Sequence, residues 1–323
     1  MIATALTQRL GCRVPVQQAG MGGVTTVELV EAVAAAGAIG TLPGLDAIPL
    51  RDRLARLADR PGLAYGVNFL VPFVDPADVE LAARESRFVE MFYGDPERAT
   101  VERIHAGGAE AWWQVGSVAE ACAAVDAGCD VVIAQGVEAG GHVRGTTPLL
   151  PLLDGVLGAL DRAGTRDVPV VAAGGIATAR GVAAVLAAGA SAARVGTRFV
   201  ATDESCAHPR YKDALVHASG VDTVLTDRFG AGWPDAPHRV LRRALDRANE
   251  ATTDVVGATR HADAEIPVVR WSPMPPTVDT TGAIEAMACY CGQGVDAVTG
   301  RERAADVVRE LAEGAERLLR SWS

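Results

Sequence analysis

The stretch VPVVAAGGIATARGVAAVLAAGASAARVGTRF, residues 168–199, decides how the rest of the chain is read. Residues 168–175 and 193–199 are apolar runs that suit buried strands. Between them, residues 177–190 carry alanine and valine at helical spacing, opened by a threonine and closed by a glycine. The two runs are continuously apolar rather than alternating, as parallel strands covered on both faces should be.

The same unit recurs upstream. Runs at 14–20, 38–44, 63–70, 88–94, 111–116 and 130–136 predict six more strands. TTVELVEAVAAAG (25–37) and SVAEACAAVDAG (117–128) read as capped helices that end at glycine. Eight strand–helix units predict an α/β fold, a (β/α)8 TIM barrel. A doubly wound open sheet is the rival, but it would carry its glycine-rich turn after the first strand. Here the richest glycine sets follow the sixth and seventh.

After Phe199 the rhythm breaks. Turn signals at AHPR and GWPDAPHR interrupt residues 205–270, which predict a small, mostly helical lobe covering the site. Residues 1–204 and 271–323 are assigned to the barrel. RWSPMPPTVDTTG (270–282) returns as an extended segment. The last amphipathic helix, 301–322, should turn Val307, Val308, Leu311, Leu318 and Leu319 to the body.

Composition narrows the function classes. The 323 residues include 30 basic and 40 acidic side chains, a net charge of -10, and Lys212 is the only lysine. Nucleic acid and an anionic membrane surface are therefore not expected partners. No apolar run reaches the roughly 18 residues of a membrane span, and the N-terminus lacks a secretory pattern. Six cysteines without a CxxC read as reduced packing thiols, so a cytoplasmic protein, monomer or homodimer, without a metal site is expected.

In a parallel barrel, ligands sit where the strand C-termini converge. AAGGI (172–176) and the glycine of RVGTRF leave bare backbone N–H groups there, with a helix beginning near Ala177 adding positive dipole character. Loops after strands seven and eight are where barrels often hold phosphate. In VVIAQGVEAGGHVRG (131–145), four glycines allow close approach to a flat ligand, and His142 extends over it, suited to proton transfer near neutral pH. Glu138 is a candidate to orient the loop or the imidazole. Trp112 and Trp113 are neighbours in one strand, so only one can face inward.

AQGVEAGGHVRG (134–145), with QQAGMGG (17–23), GVNFL (66–70), PVVAAGGIA (169–177) and RVGTRF (194–199), closely resembles the nitronate monooxygenase family, formerly called 2-nitropropane dioxygenases. FGAGWPDAPHRVLRR (229–243) and CYCGQGVDAVTG (289–300) match it as well. The resemblance implies a barrel holding FMN, with His142 catalytic. It implies that Met21, Gly22, Asn68 and Gln114 contact the isoalloxazine or ribityl chain. Gly140 and Gly141 would line the flavin; Gly174, Gly175, Gly196 and Thr197 would hold its phosphate. The implied activity is oxidation of alkyl nitronates, in some members nitroalkanes, to carbonyl compounds and nitrite with O2.

Two features depart from the family pattern. Gln114 stands where many relatives carry lysine, and GGHVRG has one residue more than the shorter GGHRG. The expected substrate is a nitronate or related carbon acid, with His142 as general base and Arg144 as a second candidate to orient the anion. Rival readings are an FMN-dependent enoyl-thioester reductase using NAD(P)H, a flavin oxidase or dehydrogenase of a specialised metabolite, and a non-catalytic binding barrel.

Overall fold

A computed structural model describes residues 2–46, 48–261 and 264–321. Eight short parallel strands form one sheet: β1 (Val16–Gln18), β2 (Gly40–Pro43), β3 (Tyr65–Leu70), β4 (Phe88–Phe92), β5 (Glu110–Val115), β6 (Val131–Gln135), β7 (Val170–Ala173) and β8 (Ala192–Val195). The order around the sheet is β1-β8-β7-β6-β5-β4-β3-β2. A parallel bridge between Gln17 and Ile39 joins its two edges. It is carried by Ile39 N–H to Val16 O at 2.9 Å and Gln18 N–H to Ile39 O at 2.8 Å. All eight predicted strands are present, and the TIM-barrel reading holds.

Side chains alternate between the barrel interior and the helical jacket. At the N-terminal end of the strands, Ile39, Phe88, Trp112, Val131, Ile133, Val171 and Ala192 pack with Leu6 and Leu10 of the helix Ala5–Leu10, which plugs the bottom. Trp112 points into this layer and stacks on Phe88 with ring centroids 3.8 Å apart. Trp113 points outward to the jacket, its indole N–H donating to Gly94 O at 3.0 Å. The two tryptophans thus divide between the faces as period-2 geometry demands.

The jacket helices start where their caps place them. Thr26 accepts from Leu29 N–H, Ser117 from Glu120 N–H and Thr178 from Gly181 N–H. The helix after the glycine pair therefore runs over Ala179–Ala187, two residues later than the sequence predicts. Helix Ala304–Arg320 lies against Ala179–Ala187, where Gly314 brings the backbones so close that a Cβ would stand 2.5 Å from Ala179 Cβ. Val307, Val308 and Leu311 are buried there, and Leu318 and Leu319 are partly buried. Trp322, at the end of the predicted helix, lies outside the described residues.

Residues 205–270 differ from the mostly helical lobe the sequence predicts. They contain helices Pro209–Val216 and Arg242–Glu250, but also strands Thr223–Thr226, His238–Leu241, Val255–His261 and Ala264–Val269. TVLT, HRVL and VVGATR are too short to hold a helix, and their β-branched residues gain backbone partners by pairing antiparallel. His238–Leu241 pairs with Thr223–Thr226 on one side and with Gly141–His142 on the other. Val255–His261 pairs with Ala264–Val269 and with Thr280–Gly282. The first of these sheets incorporates the histidine loop, so the lobe is fastened to the barrel mouth at His142.

Candidate active site

Above the apolar bottom of the barrel lies a layer of polar side chains, one from most strands. Glu90 on β4 is wholly buried and ion-paired with Arg194 on β8. Its second oxygen accepts from Asn68 Nδ2 at 2.7 Å, and Gln17 Nε2 reaches Glu90 at 3.3 Å and Thr41 Oγ1 at 3.0 Å. Gln114, 5% exposed, has an Oε1 atom that is buried without a hydrogen-bond partner. Paired, buried charges at the barrel axis fix the positions of the groups above them.

Over this layer opens a cavity of about 1070 Å³. Met21, Gly22, Asn68, Gln114, Gly140, Gly141, His142, Gly174, Gly175, Gly196 and Thr197 all line it. The structure thus brings these eleven residues together, while Glu138 and Arg144, the other two candidates from the sequence, do not line the cavity. The glycines fall into three kinds. At Gly22 and Gly141 a Cβ would meet nothing within 4 Å, and at Gly196 only Ala19 and Met21 at 3.7 and 3.8 Å, so bare backbone faces the cavity. Gly174 (φ 115°) and Gly175 (φ 66°) hold a left-handed backbone that strains other residues. Gly140 is confined instead by packing: a Cβ there would stand 2.4 Å from Gly292 N.

Residues 289–294, which the sequence reading left without a role, close the cavity from above. Gly292 N–H donates to Thr197 Oγ1 at 2.9 Å, and Gln293 N–H to Glu138 O at 2.9 Å. Gly294 lies so near Gly175 O that a Cβ would be 2.4 Å from it. Cys-Gly-Gln-Gly is legible afterwards as two glycines at a close backbone crossing.

The histidine loop is held by side chains on both sides. Gln135 donates to His142 O at 2.9 Å and accepts from Arg144 N–H at 3.1 Å. Arg239, in the lobe, donates to Val137 O at 2.8 Å. Glu138 does not touch the imidazole: both its oxygens accept from Leu149 N–H at 3.0 Å, capping helix Leu149–Ala163, which lacks a side-chain cap of its own. Arg144 turns away from the cavity to Glu120 Oε1 at 2.9 Å and Asp95 Oδ1 at 2.6 Å. An arginine engaged by two carboxylates outside the cavity does not orient an anion within it.

The His142 ring stands among aromatic groups. Trp233 stacks on it with centroids 4.0 Å apart and planes at 26°. Tyr93 and Tyr290 approach at 5.8 Å and His238 at 5.2 Å. Its Nε2 is buried and has no hydrogen-bond partner. Burial, with His238 adding a smaller effect, lowers the His142 pKa to about 3, so the ring is neutral near pH 7. Burial likewise raises the Tyr93 hydroxyl to about 12. Burial pushes the Tyr290 hydroxyl up as well, so neither phenol serves as a base at neutral pH.

Among the described residues, no helix is long and apolar enough to cross a membrane. All six cysteines are free thiols.

The family model described as nitronate monooxygenase matches residues 49–314. The (3aS,4S,5R,7aS)-5-hydroxy-7a-methyl-1-oxo-octahydro-1H-indene-4-carboxyl-CoA dehydrogenase of Mycobacterium tuberculosis is 36% identical over 253 residues, spanning 76% of this chain and 67% of that protein. A probable nitronate monooxygenase of Staphylococcus saprophyticus is 32% identical over 274 residues, 70% of this chain and 76% of that one. FabK from Thermotoga maritima superposes with a TM-score of 0.80 at 28% identity, covering 100% of this chain and 99% of the other. Nitroalkane oxidase from Streptomyces ansochromogenes gives 0.77 at 31%, covering 99% and 100%.

Proposed function

The chain belongs to the nitronate monooxygenase family of oxidoreductases, and from that premise we propose that it binds FMN and oxidises alkyl nitronates. Some neutral nitroalkanes are also substrates, and the products are a carbonyl compound and nitrite, with O2 consumed. The observation that carries this reading is His142, which lines the glycine-rich cavity and whose buried Nε2 has no hydrogen-bond partner. A buried nitrogen without a partner costs stability, and substrate chemistry is the physical reason to retain one.

The residues present suit FMN. Gly22 and Gly141 leave backbone bare where a planar ring system or ribityl chain would lie. Gly174, Gly175, Gly196 and Thr197 would hold the phosphate, and Met21, Asn68, Gln114 and Gly140 would contact the rest. FMN, when bound, supplies the two-electron acceptor, and the oxygen chemistry belongs to it. His142, neutral and with Nε2 uncommitted, takes a proton from the carbon bearing the nitro group when the substrate arrives as a neutral carbon acid. With a preformed nitronate no proton has to be removed, and the imidazole, as the tautomer that carries its proton on the nitrogen facing the substrate, donates that N–H to the anion. Trp233 and the two tyrosines exclude water from the transfer.

The test is turnover by the FMN-loaded protein and by His142→Ala, followed as nitrite release. His142→Ala should lose neutral nitroalkane turnover far more than nitronate turnover; equal, small losses would remove the base role.

A second reading has its own support. At about 1070 Å³ the cavity exceeds the ~300–1,000 Å³ that houses one drug-sized ligand. Leu45, Ile48, Phe73 and Met274, each 44% exposed or more, stand on its rim. Such a mouth suits a bulky, lipophilic carbon acid. An FMN-dependent dehydrogenase or reductase of a carboxyl-CoA or enoyl thioester would use the same histidine and cradle.

A further inference from the structure

The segment that carries Trp233 is closed at its two ends by a single side chain. His238, wholly buried, accepts from Phe229 N–H at Nε2 (3.2 Å), and its Nδ1 lies 2.9 Å from Ala236 O. A carbonyl only accepts, so Nδ1 carries the proton; an amide N–H only donates, so Nε2 does not. Both ring nitrogens are thus committed, and the ring is a neutral, single tautomer. Phe229 and Ala236 bracket the loop whose apex, Trp233, lies flat on His142. Within the loop, Gly232 (φ 80°) turns the chain, and Asp235 (φ 56°) holds a left-handed backbone that costs a non-glycine residue energy unless its surroundings fix it.

Among the described residues, the other ring contacts of Trp233 are edge-on rather than stacked. It meets Phe73 and Tyr93 edge-on at 4.9 Å, and Phe73 is itself 44% exposed. His238 also stands beside His142 across the pair of strands His238–Leu241 and Gly141–His142, so one residue touches both the loop and the imidazole.

We propose that His238 is the positioning residue of this site: by tying Phe229 to Ala236 it keeps Trp233 stacked on His142, which fixes the orientation of that imidazole and shields it from water. His238 exchanges no proton with substrate. A proton added at Nε2 would break the Phe229 bond and release the loop, and burial opposes that protonation. Among the described residues, His142 and Tyr290 face its ring, Asp227 acts on it from just before the loop, and Arg144 lies beyond Tyr93. The proposal rests on His142 as the reacting imidazole only for its consequence in catalysis; the positioning itself is read without turnover.

The test is histidine-resolved 15N NMR of the whole FMN-loaded protein, with the variants His238→Ala, His238→Asn and Trp233→Ala. In the wild type, His238 should show a protonated Nδ1 and an unprotonated Nε2, which needs no variant to fold. The opposite tautomer overturns the proposal. His238→Ala should move the His142 titration midpoint upward by about 2 pH units or more, as should Trp233→Ala, because each removes the shield. His238→Asn, an amide that can donate and accept but never ionises, should restore most of the wild-type midpoint. A midpoint unchanged in His238→Ala, or in Trp233→Ala, overturns it as well. If these shifts appear and the protein turns over no nitronate, the positioning stands and the proposed function fails.

Discussion

Replacing Glu90 by alanine should be among the most destabilising single changes in the barrel. Arg194 is 7% exposed and would keep its charge with no counter-charge, while Asn68 Nδ2 and Gln17 Nε2 would lose an acceptor. Breaking a buried ion pair from one side costs about 3–5 kcal/mol. Native stabilities are of order 5–15 kcal/mol, so this is roughly a fifth or more of the total. The cost comes from the stranded partner more than from the lost attraction. Glu90→Ala combined with Arg194→Met should therefore cost less than the two single effects added, by about 0.5–3 kcal/mol. Urea unfolding of the wild type, both single variants and the double variant measures this directly. Single costs below about 1 kcal/mol that simply add would refute the claim that this pair anchors the layer beneath the site.

Other consequences follow from named contacts. Arg144→Ala should leave substrate affinity unchanged, since Arg144 pairs with Glu120 and Asp95 outside the cavity; a large rise in KM for the nitronate would contradict that placement. Glu138→Ala should destabilise the fold by about 1–2 kcal/mol through the lost cap on Leu149–Ala163, seen as a lower urea midpoint. Gly175→Ala puts a Cβ at φ 66° and 3.1 Å from Glu138 Cβ, and should sharply weaken FMN retention on gel filtration. The His142 ring resists protonation to about pH 3, whereas the unfolded chain takes up that proton near 6.5. Between those values the unfolded state binds more protons, so stability falls as pH falls, by ~1.4 kcal/mol per unit for this group. His142→Asn should flatten that part of the stability–pH curve, as equilibrium unfolding at pH 4 to 7 would reveal.

Much of this was legible in the sequence, for reasons that differ by level. Parallel strands buried on both faces leave an uninterrupted apolar signal, so all eight strands can be read, and glycines with special backbone marked the cavity mouth. The polar layer was hidden by the same signal. Each of VQQ, GTLP, GVNF, FVEMF, EAWWQV and AARV carries a polar residue at an inward position, but inside an apolar run it passes for noise. Only the closed ring shows that Glu90 and Arg194, 104 residues apart, meet.

The lobe was less legible because its strands are short and one of them, His238–Leu241, finds a partner far along the chain in Gly141–His142. Trp233 and His238 gave no local sign of their contact with His142. Glu138 and Arg144, adjacent to the histidine in sequence, were natural candidates to act with it. The loop geometry instead assigns the first to a helix end and the second to the outer surface.

The central claim is that this cavity holds FMN and passes it electrons from a nitronate carbon. It is tested most directly without oxygen, by mixing the yellow, FMN-loaded protein separately with propionate 3-nitronate, NADPH and a carboxyl-CoA thioester while following flavin absorbance. Bleaching by the nitronate, with NADPH and the thioester leaving the colour intact, is the expected result. A flavin that stays oxidised with nitronate and bleaches with NADPH or the thioester would contradict it.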